Sequence, residues 1–302
     1  MSVRSWGPAD GPLGPLEQAL RDCEAARFSG ALHVIGAPGG MICLVEGLVT
    51  AIETPWSPSP EVVLIRSGRV SPADWEAAFT AATVARRPMG EELIARGLVG
   101  AGELEAVLLT ALADTIFAFA AGFVDTCRAE AGALDFEMPL LPGVEAGRLV
   151  AEALRRLQVL AGLPGPALNA RDRVTALPRI ARPGGFGDDR RDALLALIDG
   201  RRSIRDLAFA RGRGLYVTML EVSRMRRAGL IALPTERPGD EGGAPQRRGL
   251  FDAPTNAGLP RRHKDRPVQP KRTGDLESRP LPAVLRLLRP RADGGPKPRE
   301  VY

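Results

Sequence analysis

The chain of 302 residues has almost no lysine: none stands before position 235, and the three present are Lys264, Lys271 and Lys297. Arginine carries nearly all the positive charge, a codon-usage bias that is not in itself a nucleic-acid signal. Histidine is nearly missing too. His33 and His263 are the two in the chain, too few for a metal site of convergent imidazoles, and neither has the support a Ser/His/Asp triad needs. His33 falls in a β-prone run, where a hydrogen-bonded sheet histidine is the default. The three cysteines, Cys23, Cys43 and Cys127, are far apart, odd in number and form no CxxC pair. They read as reduced, buried thiols. Aromatics make up only 5% of the chain, so its core must be built from Leu, Val, Ile and Ala, which suits helices.

Long apolar runs are absent as well. No stretch of about 18 apolar residues exists to cross a bilayer. The best candidate, "LEAVLLTALADTIFAFAAGF" from Leu104, is interrupted by Asp114 and reads as a buried helix. The opening "MSVRSWGPADGPLGP" lacks the apolar region of a secretory signal. A cytoplasmic protein with no membrane partner is expected. Phosphate cradles are missing too: "VIGAPGGMICL" leads into a strand where a cradle needs a helix N-terminus, and "GRGLYV" lacks the Walker lysine. The carboxylate pairs Glu91/Glu92 and Asp188/Asp189 sit at helix starts, where capping and the helix macrodipole account for them. The chain therefore reads as non-catalytic, with no catalytic residue, metal ligand or cofactor expected.

What the chain does have is an uneven charge. The formal net charge is +5, but residues 235–302 alone hold fifteen Lys/Arg and nine Asp/Glu, leaving −1 for residues 1–234. This last segment is rich in Pro, Gly and Arg and too poor in apolar residues to offset its ordering entropy. It reads as a disordered basic tail, either a solubilising extension or an arm with salt-sensitive affinity for nucleic acid or an acidic partner. Within it, "PAVLRLLR" (282–289) has the pattern of a short amphipathic helix.

Ahead of the tail the pattern is α+β. After a flexible 1–12, residues 13–27 carry Leu16, Ala19, Leu20 and Cys23 at helical spacing. "GALHVIG", "MICLVEG" and "LVTAIE" are short β-prone runs with turn signals between them, a three-stranded antiparallel meander. A helical insert follows over about 58–122, with Ser71 as an N-cap before Pro72 and helix ends at Gly68 and Gly97. "FVDTCRAEAG" adds a strand. Residues 144–163 form a helix with Val150, Leu154, Leu157 and Leu160 on one face. Together these make a first domain over 13–165. A linker over 166–187 includes "RDRVTALPRI", which has room for one strand, and the glycine-rich "RPGGFGDD".

Residues 188–234 have the outline of a winged helix-turn-helix. Asp188 or Asp189 caps a first helix carrying Leu194, Leu195, Leu197 and Ile198, ended by Gly200. Ser203 and Asp206 form a capping box at the second. Gly212 and Gly214 make the turn. A third helix over 215–228 packs through Leu215, Met219, Val222 and Met225, Gly229 ends it, and "LIAL" supplies a strand. In a DNA-reading winged helix the third helix enters the major groove by its N-terminal half. Outward there stand Tyr216, Val217, Leu220 and Glu221, with no Arg, Asn or Gln for bidentate base contacts. Arg213 precedes the helix, and Arg224, Arg226 and Arg227 come late, within reach of phosphates. The candidate DNA- or partner-binding residues are Arg213, Tyr216, Val217, Leu220, Arg224 and Arg227.

Two resemblances bear on this outline. "FSGALHVIGAPGGMICLVEGLVTAIET" is similar to the PATAN-type domain of bacterial signalling proteins, and the likeness extends over about 14–162. The long helical insert resembles the N-terminal helical domains of type II secretion ATPases through Gly90, Leu93, Gly97 and Leu98. Some of those domains bind cyclic di-GMP, but their arginine-and-glycine ligand pattern is not repeated here. "LLALIDGRRSIRDLAF" and "LEVSRMRRAGLI" are similar to the winged helix that often ends PATAN-type proteins, chains of the kind often named MarR-like transcriptional regulators. The resemblance implies a DNA-binding regulator with a signal-receiving first domain, with a homodimer to read two half-sites. It equally implies an adaptor in a signalling complex, of the small GTPase and roadblock type, whose winged helix docks protein.

Overall fold

Five antiparallel strands form the main sheet in the computed structural model, which describes residues 4–132, 138–178 and 189–233, all within the unit Met1–Asp252. The strands are β1 (Arg4–Trp6), β2 (Gly30–Ala37), β3 (Gly40–Val45), β4 (Leu48–Glu53) and β5 (Phe123–Ala131), in the order β1-β5-β2-β3-β4. β2 to β4 are the expected meander. β5, the expected later strand, joins the meander beside its first strand, β2. β1 lies in the stretch read as flexible: it pairs with β5, Trp6 opposite Cys127, and the Trp6 indole donates to Asp22 at 2.8 Å.

Register sorts the side chains. Leu32 lies opposite Ile42 and Ala129, and Leu44 opposite Val49. Alternation along the strands puts Leu32, Val34, Ile42, Leu44 and Val49 into one buried cluster. Helix α1 (Pro15–Ala25) packs into it through Leu16, Ala19, Leu20 and Cys23. Three further helices, α2 (Pro60–Arg66), α3 (Pro72–Ala85) and α4 (Met89–Ala95), precede the long α5 (Ala101–Ala120). Ser59 and Ser71 cap α2 and α3, each accepting a backbone N–H from three residues on, and a proline follows each. Arg69 grips Glu103 with two hydrogen bonds, tying the α2–α3 turn to the start of α5.

The two halves of α5 differ. Up to Leu112 it is buried along a stripe of Leu104, Leu108 and Leu112; from Ala113 to Ala120 every residue is buried. All-round burial marks a helix inside the core. Phe117 and Phe119 lie fully inside, each contributing about 1.5–3 kcal/mol by leaving water. Helix α6 (Ala146–Ala161) runs along α5 and reaches α1. Just before it, Val144 pairs with Val49 and the Leu140 amide donates to the Thr50 carbonyl, covering the outer edge of β4.

The C-terminal unit consists of β6 (Thr175–Ala176), α7 (Asp189–Leu195), α8 (Ile204–Arg211), α9 (Leu215–Arg227) and β7 (Ile231–Ala232). Ser203 and Asp206 exchange the two bonds of a capping box. Gly212 ends α8 in the left-handed region at φ 59. Leu194, Ile204, Leu207, Leu215, Met219, Val222 and Met225 are buried here, in one cluster continuous with the core of the N-terminal part. The strand after the third helix pairs backward with β6, from before the first helix. The fold is thus mixed helix and sheet, with an antiparallel sheet in the N-terminal part. No helix among the described residues is long and apolar enough to cross a membrane. The basic tail, the 282–289 helix pattern, Asp188 as a cap and most of "RPGGFGDD" lie outside the described residues.

Candidate functional site

The third helix of the C-terminal unit, α9, carries most of the candidate residues, and its first turn is held from a distance. Gly214 at its N-cap has no side chain to accept the free amides that open every helix. Asp114, from the middle of α5, supplies the acceptor. Its Oδ2 takes the Leu215 N–H at 2.6 Å and its Oδ1 the Tyr216 N–H at 2.9 Å. The Ser57 hydroxyl donates to Oδ2 at 2.6 Å, and an Arg156 guanidinium nitrogen stands 3.7 Å from Oδ1. Asp114 is only 2% exposed. A carboxylate so deep is tolerable because four partners and the positive end of a helix face it.

The side chains around this carboxylate continue the contact. The Tyr216 ring meets Phe117 edge-on at 5.3 Å between centroids, and the Arg156 guanidinium lies 5.0 Å over the same ring. Glu152, one turn before Arg156, fixes that arginine at 2.8 Å and also takes Arg155. Hydrogen bonding from Arg155 first, then Arg156, brings the Glu152 carboxyl down to about 2. Gly214 permits the approach: a Cβ there would sit 2.8 Å from Asp114 Oδ1. The tight turn before it, at Gly212, lies against Arg66 and the Val62 carbonyl of α2.

The six candidate residues divide accordingly. Tyr216, expected outward, is half-buried against Phe117. Arg213, ahead of the helix as expected, bonds Glu221, which also takes Arg211 at 2.9 Å. Val217, 37% exposed, shares the outer face of α9 with the half-buried Leu220 and the exposed Arg224 and Arg227. That face is apolar toward the N-terminus and cationic toward the C-terminus. Arg226 points elsewhere, donating to the carbonyls of Pro164 and Pro166.

Elsewhere the described residues offer little chemistry. The three cysteines are unpaired and buried, and burial pushes the thiol of Cys23 up to about 11 and those of Cys43 and Cys127 up to about 12. No cluster of three or more His, Cys, Asp or Glu side chains is placed to hold a metal among them. An open depression of about 410 Å³ is lined by Leu177, Asp192, Leu195 and Leu230. Asp114, Ser57 and Arg156 were not candidates in the sequence. The signal was present for one of them: an aspartate within an apolar helix, with no basic residue a turn away on either side, requires a partner from another element. Compared with family models, curated proteins and solved structures, the chain finds no match.

Proposed function

We propose that this chain is a non-catalytic regulatory protein that binds DNA through its C-terminal unit. In this reading α7 to α9 and the short strands are a winged helix-turn-helix, and the PATAN-like part through α6 receives a signal or a partner. The observation that carries the reading is how charge is divided. Residues 1–188 hold sixteen Lys/Arg against twenty-two Asp/Glu, a net −6; residues 189–234 hold ten arginines against five acids, a net +5, and the tail adds +6. The use of arginine in place of lysine follows the bias of the whole chain; the change of sign does not. A polyanion is attracted to the C-terminal unit and tail and repelled by the rest. Arg191, Arg201, Arg224 and Arg227 are exposed and have no ion pair among the described residues.

A second reading has its own support. Val217 and Leu220 on the outer face of α9, beside an anchored first turn, suit a protein partner, as in an adaptor of a small GTPase and roadblock-type complex. Fluorescence anisotropy of the full chain on a labelled duplex separates the two. The DNA reading expects binding at low salt, weakened about tenfold or more when Arg201, Arg224 and Arg227 are all changed to alanine. Undiminished binding by that variant assigns the affinity to the tail and favours the adaptor.

A further inference from the structure

We infer that the C-terminal unit grips double-helical DNA by its phosphates alone and reads no base sequence, an inference that rests on the DNA-binding reading above. Base reading needs paired donors or acceptors on the groove-facing half of a helix. The first two turns of α9 have none to offer. Leu215, Thr218 and Met219 are buried, and the Thr218 hydroxyl donates to the Gly214 carbonyl. Tyr216 is packed between Phe117 and Arg156, and Glu221 is occupied by Arg211 and Arg213. What remains outward, Val217 and Leu220, can meet a methyl group but cannot form a hydrogen bond.

The positive end of α9 is also spent. Its leading amides are bonded to Asp114, so this end cannot hold a phosphate in the way helix N-termini do. The cations of the C-terminal unit exposed without an ion pair among the described residues lie at the other end, Arg224 and Arg227, ahead of α8 at Arg201, and on α7 at Arg191. Unpaired guanidiniums at such positions position a protein on a duplex without specifying sequence. Single strands are a poorer fit, because they need exposed rings for stacking. The aromatic residues of the C-terminal unit, Phe209 and Tyr216, are both half-buried. Any choice of genomic site then comes from what the N-terminal part binds.

The test uses the full chain in two experiments. Selection from a randomised duplex library should enrich no motif. A salt series on one duplex should give a slope of log K against log salt that becomes shallower by about 0.9 for Arg224→Ala and by about the same again when Arg227→Ala is added. Single-stranded DNA and double-stranded RNA of the same length should bind more weakly than the duplex. An enriched motif, or a preference among duplexes that changes with Val217→Ala, overturns the inference and leaves DNA binding standing. Tighter binding of single strands or RNA overturns the choice of double-helical DNA. Absence of any binding at low salt overturns the DNA reading itself.

Discussion

At the N-terminal end of α9 two backbone amides are held by a carboxylate that is 2% exposed, and a tyrosine ring is packed between Phe117 and Arg156. At the C-terminal end Arg224 and Arg227 stand exposed with no ion pair among the described residues. The two ends belong to one helix, about four turns long, yet they answer to different demands. The first turn is joined to α5 and α6, so its orientation is fixed by the core of the N-terminal part. In the last turns Val222 and Met225 stay buried and Arg226 donates to the carbonyls of Pro164 and Pro166, while Arg224 and Arg227 face outward at the negative end of the helix dipole. With its N-terminal end anchored, α9 turns the side chains of Arg224 and Arg227 at its other end to solvent.

The comparison is broken most directly at Asp114. Asp114→Ala leaves the amides of Leu215 and Tyr216, the Ser57 hydroxyl and the Arg156 guanidinium without their shared acceptor. Removing one side of such a buried charged network costs about 3–5 kcal/mol, a large share of the roughly 5–15 kcal/mol that holds an ordinary domain together. Urea unfolding followed by far-UV circular dichroism measures it. Asp114→Asn keeps an acceptor oxygen and should lose less, which keeps the test readable if the alanine variant does not fold. A loss below about 1 kcal/mol for alanine, the size of an exposed cap, would mean that the end is not anchored.

A methyl group at the next position strains the same contact. At Gly214 an added Cβ meets the Asp114 carboxylate at 2.8 Å, and the backbone there has an ordinary φ of −55. The obstacle is therefore space and not backbone conformation. The carboxylate cannot swing aside without giving up its bonds, so Gly214→Ala should cost about 1–3 kcal/mol, the range for overpacking. If Asp114 is already alanine, the same change should cost much less. A double-mutant cycle reads that coupling.

How much of this could be read from the residues follows from the range of each signal. Ser203 with Asp206, Gly212 and Gly214 act within a few positions of themselves, and the C-terminal helices lie close to where those residues put them. The apolar sets Leu215, Met219, Val222 and Met225, or Leu16, Ala19, Leu20 and Cys23, repeat at helical spacing and are buried. β1 carried no such mark: three residues hold too little pattern, and its pairing with β5 spans more than a hundred positions. The anchor was hidden for the same reason. Asp114 and Tyr216 meet only because α5 and α9 are brought together, and no local rule places a carboxylate on a helix end 101 residues later. Helical geometry alone turns Tyr216 and Glu221 outward; it carries no mark of Phe117, Arg211 and Arg213 beside them.

Acid sharpens the comparison at smaller cost. Arg155, then Arg156, brings the Glu152 carboxyl from 4.5 to about 2 in the folded chain. A carboxylate held below its unfolded value stabilises the fold above about pH 4.5, and that contribution is lost as the pH falls from there toward about 2. Arg156 also covers Tyr216 and stands near Asp114, so the loss falls on the anchored end of α9. Glu152→Gln should be somewhat less stable than the native chain at neutral pH, with the gap closing through that acid window. Denaturation midpoints of the two proteins, taken side by side across the window, measure it. A gap that stays constant with pH would show that Glu152 acts through packing and not through its charge.

The smallest effect is expected at the free end. Arg224→Ala and Arg227→Ala remove exposed side chains with no ion pair among the described residues, and each should change unfolding stability by no more than about 0.5 kcal/mol. Alanine is also the better helix former, so either sign is within that range. Differential scanning calorimetry on the two single variants gives the number. If either substitution destabilises the chain by as much as Gly214→Ala does, that arginine is itself part of the fold, and a fall in DNA affinity in the same variant then reports on folding and not on contact. If both are neutral, a change in salt slope belongs to the arginines as ligands of phosphate, because their removal then leaves the fold unchanged.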